Sequence, residues 1–294
     1  MEKILITGGL GHLGSALIAQ LHNLLKNRKE NQVTVVDNMA TQRYCSLFHF
    51  PPEFKFIEAD FKDIDPTDYT TIVHLAAVTN APLSIVDPEA NRYVNVEDTK
   101  TFLGRCLDKR IIFPSTTSVY GSAIPTMLED SPLNPQSPYA ANKIEVENYL
   151  LESAPKALIP RFGTIAGASM GMRFHTAINK FCFQARFNQP LTVWKDNYEM
   201  ERPYLSIADA TNFICWGIFI KPEEVGIFNV VTKNIKLEHI TNYLKNKTDV
   251  TINFVDTPLL NQYSYTVDNS KSKKAGFKYV GNIFGEIDSV WRTL

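Results

Sequence analysis

Lys3-Ile4-Leu5-Ile6-Thr7-Gly8-Gly9-Leu10-Gly11-His12-Leu13-Gly14 decides the fold. Ile4, Leu5 and Ile6 form a short continuous apolar run, as a strand buried on both faces requires. The glycines after it permit a tight turn and let backbone amides approach a phosphate closely. From Leu13 onward, Leu17, Ile18, Leu21, Leu24 and Leu25 recur at helical spacing. A strand, a glycine turn and a helix in that order bring free amides and the positive end of a helix to one point. A pyrophosphate binds at such a point.

Asp37 closes a second strand, Val33-Thr34-Val35-Val36-Asp37, about 20 residues on, where a ribose-binding acid belongs. The bland alternative, an ordinary tight turn, does not account for that acid. A carboxylate here accepts ribose hydroxyls and repels the extra phosphate of NADP, so NAD is the expected cofactor. Arg43 lies near enough in sequence to soften that repulsion.

Further strands are expected at Phe54-Lys55-Phe56-Ile57, Thr71 to Leu75, Arg110 to Phe113 and Ala157 to Pro160, with Pro160 pointing to an edge or strand end. Helices are expected over Asn95 to Leu107 and Tyr139 to Leu151. Strands alternating with helices predict an α/β protein with a doubly wound parallel (Rossmann) sheet. The alternation fades after Gly167. The expected division is a dinucleotide-binding domain over 1–166, with a return segment near 205–232, and a smaller substrate-binding lobe over 167–294.

The chain has 294 residues and a net charge of -1, which supplies no global attraction to nucleic acid or an anionic membrane. The apolar run Phe213 to Ile220 is too short to span a bilayer, and no signal-peptide pattern precedes Lys3. Cys45, Cys106, Cys182 and Cys215 are far apart, so neither a disulfide nor a metal site is expected, and the expected compartment is the cytoplasm.

Tyr139 and Lys143 stand four residues apart in Ser137-Pro138-Tyr139-Ala140-Ala141-Asn142-Lys143. On a helix they share a face. An ammonium beside a phenol favours the phenolate, so the pair is expected to form a general base with a lowered tyrosine pKa. Alone, such a pair is usually a solvated helix face. Gly167-Ala168-Ser169-Met170-Gly171 spells the hydrolase pattern G-x-S-x-G, but it lies in a turn-rich stretch rather than on a strand-to-helix elbow. His74, Phe181, Phe183 and Phe187 read as core. His12 and His175 receive no catalytic task, and Arg173 reads either as a substrate contact or as the flank of a helix start.

Taken together, these motifs resemble an extended short-chain dehydrogenase/reductase of the nucleotide-sugar epimerase/dehydratase family, over nearly the whole chain. Thr7 to Gly14 resembles the TGxxGxxG loop, His74-Leu75-Ala76-Ala77 the HLAA segment, and Asn95 a structural asparagine. Pro114 to Gly121 resembles the serine-rich segment ending VYG, and Arg202 to Asp209 a later substrate-binding segment. The resemblance implies Thr116, Tyr139 and Lys143 as catalytic residues. It implies NAD contacts from Gly8, Gly11, His12, Leu13, Asp37, Asn38, Asp60, Phe61, Leu75, Ala76, Ala77, Tyr139 and Lys143. It implies substrate contacts from Thr117, Asn179 and Arg202, and no metal.

Two departures narrow the reaction. Dehydratases of the family carry Asp-Glu after the catalytic Ser/Thr, and decarboxylases a Glu at the second place. This chain has Thr117 and Ser118, and hydroxyls do not replace a carboxylate as proton shuttle. A third departure cuts the other way: where many epimerases carry an arginine on the nucleotide near the closing segment, only Tyr263 is found, so the resemblance does not fix which nucleotide is bound. The expected function is an NAD-dependent nucleotide-sugar epimerase inverting C4 through a transient 4-keto-sugar. The second reading is a C4 dehydrogenase or keto-sugar reductase, and the third a catalytically silent nucleotide-sensing protein. The resemblance also implies a homodimer through helices near 96–107 and 140–151.

Overall fold

The computed structural model describes residues 1–28, 30–79, 81–121, 125–256 and 265–294, and the side chains of 81–83 are outside the description. Tyr263 therefore lies outside the described residues.

The main sheet runs in the order Gly226–Val230, Ala157–Phe162, Arg110–Ile112, Thr71–His74, Lys3–Thr7, Gln32–Asp37, Lys55–Glu58, with Ser115–Thr116 also pairing with Ala157–Phe162. Every pairing is parallel. Ile4, Leu5 and Ile6 are fully buried at its centre, as the apolar run requires. The order reverses at Lys3–Thr7, whose neighbours are Gln32–Asp37 on one side and Thr71–His74 on the other. Ligands bind at such a switch point in an open parallel sheet.

Helix His12–Leu25 buries Leu17, Ile18, Leu21 and Leu25 against the sheet. Its neighbour, helix Ile207–Cys215, is tied to it by Gln20 Nε2 donating to Asn212 Oδ1 at 2.9 Å. Helix Pro138–Ser153 covers the other face. Ser137 caps it by accepting from Ala140 N–H, and Pro138 occupies the first turn, where its missing N–H is harmless. A longer helical stretch, Pro88–Arg92, Tyr93–Asp98 and Thr99–Gly104, carries a π-type turn in its middle segment.

Pro160 is not at an edge. It lies in Ala157–Phe162, between two neighbours in the sheet. Arg110–Ile112 pairs with residues 157–158 of this strand and Ser115–Thr116 with 161–162, so Pro160 falls where that ladder is already interrupted. A residue without an N–H is tolerated there.

A second apolar cluster gathers Ile178, Phe181 and Cys182 with Leu237, Ile240, Leu244, Ile287 and Val290. It lies beneath small sheets made of Lys233–Lys236, Glu201–Ser206 and Thr164–Ala166, and of Leu191–Trp194 with Ile252–Val255. Phe187, expected in the core, is 51% exposed because it falls just past the end of helix Ala177–Arg186. Among the described residues no helix is long and apolar enough to cross a membrane, and no group of three or more possible metal ligands forms.

Candidate active site

The glycine loop packs directly on the strand-end segment after His74. Gly8 has φ +66°, and a Cβ built on it would stand 2.5 Å from the Ala76 nitrogen, so only glycine fits. Asp37 closes the loop from the other side, accepting from Leu10 N–H and Met39 N–H, each at 3.0 Å. Asn38 is exposed and accepts from Ala40 N–H at 3.1 Å in a side-chain turn. Asp60 caps the turn Phe61–Asp63 through Lys62 N–H. Phe61 is almost buried, edge-on to the His74 ring at 4.9 Å, so it forms the floor here. Leu13, Leu75, Ala76 and Ala77 keep part of their surface open, and Gly11 lies on the same loop.

His74 is a core residue with a directional task. Thr99 Oγ1 donates to the Val94 carbonyl at 2.9 Å, so toward His74 Nε2, at 3.2 Å, it acts as acceptor. His74 therefore carries its proton on Nε2, and its Nδ1 accepts from Thr7 Oγ1 at 2.9 Å. Thr7 Oγ1 in turn accepts from Ala76 N–H at 3.4 Å. This chain of bonds locks the last residue before the glycine loop to the segment facing it. Burial, with the Lys143 charge second, pushes the His74 pKa down to about 3, which keeps the ring neutral.

Helix Pro138–Ser153 is fixed to the same region by amides. Asn142 Nδ2 donates to Asn91 Oδ1 at 2.9 Å, as does Asn95 Nδ2 at 3.0 Å, while Asn95 Oδ1 accepts from Val78 N–H at 2.8 Å. Tyr139 and Lys143 are thereby held over the segment after His74. Their electrostatics differ from the sequence expectation. Lys143 Nζ donates to the Pro114 carbonyl at 2.9 Å and lies 4.2 Å from the Phe113 ring centre, and burial lowers its pKa to about 8. The Tyr139 pKa is not lowered: burial pushes it up to about 12, and the charge that opposes the rise comes from Arg173. Desolvation outweighs the single nearby cation.

Thr116 ends the short strand Ser115–Thr116. Its Oγ1 accepts from Ser118 N–H at 3.1 Å, which leaves its own proton available to a ligand oxygen. Thr117 is nearly buried, and its carbonyl accepts from Tyr265 Oη at 3.4 Å. The Arg202 guanidinium lies 5.5 Å from the Tyr265 ring centre, so these two segments meet. Asn179, expected to contact the substrate, is turned inward. It is fully buried, its Oδ1 accepts from Gly167 N–H at 3.2 Å, and its Nδ2 donates to the Gly167 carbonyl at 3.1 Å. Both ends of its amide pin the Gly167 turn, so this side chain is closed to a ligand here.

Arg173, which the sequence allows as a substrate contact or a helix flank, is the cation that acts on Tyr139. It donates to Thr79 Oγ1, while its Nε is buried without a hydrogen-bond partner. Arg173 and Arg43 bring two cations to the glycine loop, beside the His12 and His175 rings, which burial and those charges keep neutral. Burial, then the Arg43 charge, lowers the Arg173 pKa to about 10. Ser169 Oγ stands 2.8 Å from His12 Nδ1. That pair is no hydrolase dyad: burial and nearby arginines push the His12 pKa to about 3, and no carboxylate among the described residues orients it. The loop amides, the close approach at Gly8, the acid at 37 and the unpartnered nitrogens of His12 and Arg173 together fit a dinucleotide with its diphosphate.

The chain matches the model of the NAD dependent epimerase/dehydratase family over residues 4–230 and belongs to that family, the nucleotide-sugar branch of the extended short-chain dehydrogenases/reductases. Among curated relatives, a trifunctional UDP-glucose 4,6-dehydratase/UDP-4-keto-6-deoxy-D-glucose 3,5-epimerase/UDP-4-keto-L-rhamnose-reductase of Arabidopsis thaliana is 26% identical over 306 residues. That match covers 94% of this chain and 44% of the relative, so the chain spans less than half of the plant protein's length. The UDP-glucose 4-epimerase of Azospirillum brasilense is 26% identical over 236 residues, covering 70% of this chain and 65% of the relative. In fold the chain is similar to UDP-glucuronic acid 4-epimerase from Bacillus cereus, solved with UDP-glucuronic acid and NAD, at TM-score 0.86 and 23% identity, covering 99% and 98% of the two chains.

Proposed function

We propose that the protein is an NAD-dependent nucleotide-sugar epimerase that inverts C4 of its substrate. The observation that carries this reading is that helix Pro138–Ser153, which bears Tyr139 and Lys143, packs against strand Ser115–Thr116 with Lys143 Nζ on the Pro114 carbonyl, in a chain whose glycine loop is closed by an acid at 37. The cofactor would lie along Gly8, Gly11, His12, Leu13, Asp37 and Leu75 to Ala77, and when bound it would supply a hydride acceptor and donor.

The chain's own residues handle the proton and the positioning. Tyr139 Oη receives the hydroxyl proton as the sugar carbon becomes a ketone, and returns it when that ketone is reduced from its other face. Thr116 donates a hydrogen bond to the same oxygen. Lys143, whose Nζ donates to the Pro114 carbonyl, would hold the nicotinamide ribose of a bound cofactor. Thr117 and Arg202 line the substrate side, where Arg202 suits a diphosphate. Thr117 and Ser118, standing where eliminating enzymes need carboxylates, favour epimerisation over dehydration or decarboxylation.

A homodimer through the helical faces near 96–107 and 140–151 is the proposed assembly. The exposed Leu151 supports it, while the ion pairs of Glu145 with Arg92 and Lys100 oppose a purely apolar contact. Sedimentation at equilibrium tests it. The proposed compartment is the cytoplasm, and the free thiols of Cys45, Cys106, Cys182 and Cys215 fit a reducing environment.

Incubation with UDP-, GDP-, CDP- and dTDP-sugars, followed by NMR, tests the reaction. Inversion at C4 with no net change in NAD supports it. Accumulation of a keto-sugar with stoichiometric NADH would instead establish the oxidoreductase reading.

A further inference from the structure

Several contacts join the stretch after strand Thr164–Ala166 to the glycine loop. His12 is the first residue of the helix His12–Leu25, and its Nδ1 stands 2.8 Å from Ser169 Oγ. Ser169 belongs to the stretch between strand Thr164–Ala166 and helix Ala177–Arg186. That stretch is pressed onto the loop. Gly171 N–H donates to Ser15 Oγ at 2.9 Å, and a Cβ on Gly171 would stand 2.3 Å from the Leu10 carbonyl oxygen. Nearby, Cys45 Sγ donates to the Met170 carbonyl at 3.1 Å.

The other ring nitrogen, His12 Nε2, is buried and has no hydrogen-bond partner. A buried polar nitrogen in that state calls for a ligand. The ring is held neutral by burial first and then by the charges of Arg173 and Arg43. The 2.8 Å contact between Ser169 Oγ and Nδ1 can carry its proton in either direction; an anion at Nε2 selects the form in which the hydroxyl donates to Nδ1 and the ring proton sits on Nε2 as a donor. A donor at a helix N-terminus, among cations, calls for an anionic acceptor.

We infer that His12 Nε2–H is a side-chain ligand of the dinucleotide's diphosphate, and that Ser169, by holding Nδ1, makes the stretch 167–173 part of the cofactor site. This rests on the dinucleotide reading of the glycine loop. Arg173 lies at the far end of the stretch, so cofactor affinity and the placement of Arg173 beside Tyr139 become coupled.

Calorimetric titration with NAD tests this on the natural chain, His12→Phe, His12→Asn, Ser169→Ala and the double variant His12→Phe/Ser169→Ala. Loss of one charge-assisted hydrogen bond weakens binding about tenfold in His12→Phe and His12→Asn. Ser169→Ala loses less, and the double variant is no weaker than His12→Phe, because Ser169 acts through the ring. Hydrogen exchange supplies a second readout: NAD protects residues 169–173 in the natural chain and protects them less in Ser169→Ala. A folded His12 variant that binds NAD as the natural chain does overturns the inference, and additive losses overturn the Ser169 part. A natural chain that does not bind NAD removes the dinucleotide reading itself, so the two failures are distinct.

Discussion

Arg173, in the stretch after strand Thr164–Ala166, is the cation whose charge opposes the burial of the Tyr139 phenol. Lys143, one helical turn from Tyr139, donates to the Pro114 carbonyl instead. The one charge that opposes the rise thus comes from the segment after strand Thr164–Ala166 and not from the helix that carries Tyr139.

Tyr139→Phe keeps the ring and removes the proton carrier. Turnover is expected to fall about 10³-fold, within the range for general acid–base groups, with NAD affinity unchanged. Steady-state kinetics and calorimetry on the same preparation check both halves. Turnover within threefold of the natural chain would take Tyr139 out of the chemistry.

The pH dependence has a definite sign. The phenol acts as base only when deprotonated, and burial holds it at about 12 against the pull of Arg173. The activity of the free enzyme, as kcat/KM, therefore rises with pH. Arg173→Leu removes the opposing charge and moves that rising limb to higher pH. A limb that stays in place, or moves to lower pH, rules out Arg173 as the cation that tunes the base.

Acid stability follows from the neutral, buried His74. Its pKa is about 3 in the folded protein against 6.5 for an unperturbed ring. The unfolded chain binds the extra proton between those values. The stabilisation is complete above pH 6.5 and is lost as pH falls through that window, at up to about 1.4 kcal/mol per pH unit. His74→Gln keeps one donor and one acceptor and should flatten the fall. Urea unfolding at neutral and mildly acidic pH measures it, and an equal slope in both proteins would refute the assignment.

Glu147 and Arg161 form a pair buried to 0% and 2% exposure, with Nη2 to Oε2 at 2.6 Å. The pair joins the helix carrying Tyr139 to the strand Ala157–Phe162, and Arg161 Nη1 also donates to Tyr120 Oη at 2.9 Å. Glu147→Ala leaves a buried guanidinium without its counter-ion and is expected to cost about 3–5 kcal/mol. Adding Arg161→Met should recover much of that loss. Equal stability of Glu147→Ala and the natural chain by urea unfolding would contradict the burial argument.

Local periodicity and turn chemistry by themselves determined the sheet's first strands, the glycine loop, the acid at 37 and the helix that presents Tyr139 and Lys143. Each depends on neighbours within a few residues, where spacing alone sets which side chains share a face. Tertiary structure alone decided the rest. It turned Lys143 toward Pro114, set Arg173 against Tyr139, closed Asn179 around Gly167 and left His12 Nε2 buried without a partner. It also placed Pro160 inside the sheet, at a gap in the ladder. Those outcomes depend on burial and on charges from distant segments. Desolvation raises or lowers a pKa according to what packs around the group, and sequence spacing does not contain that information.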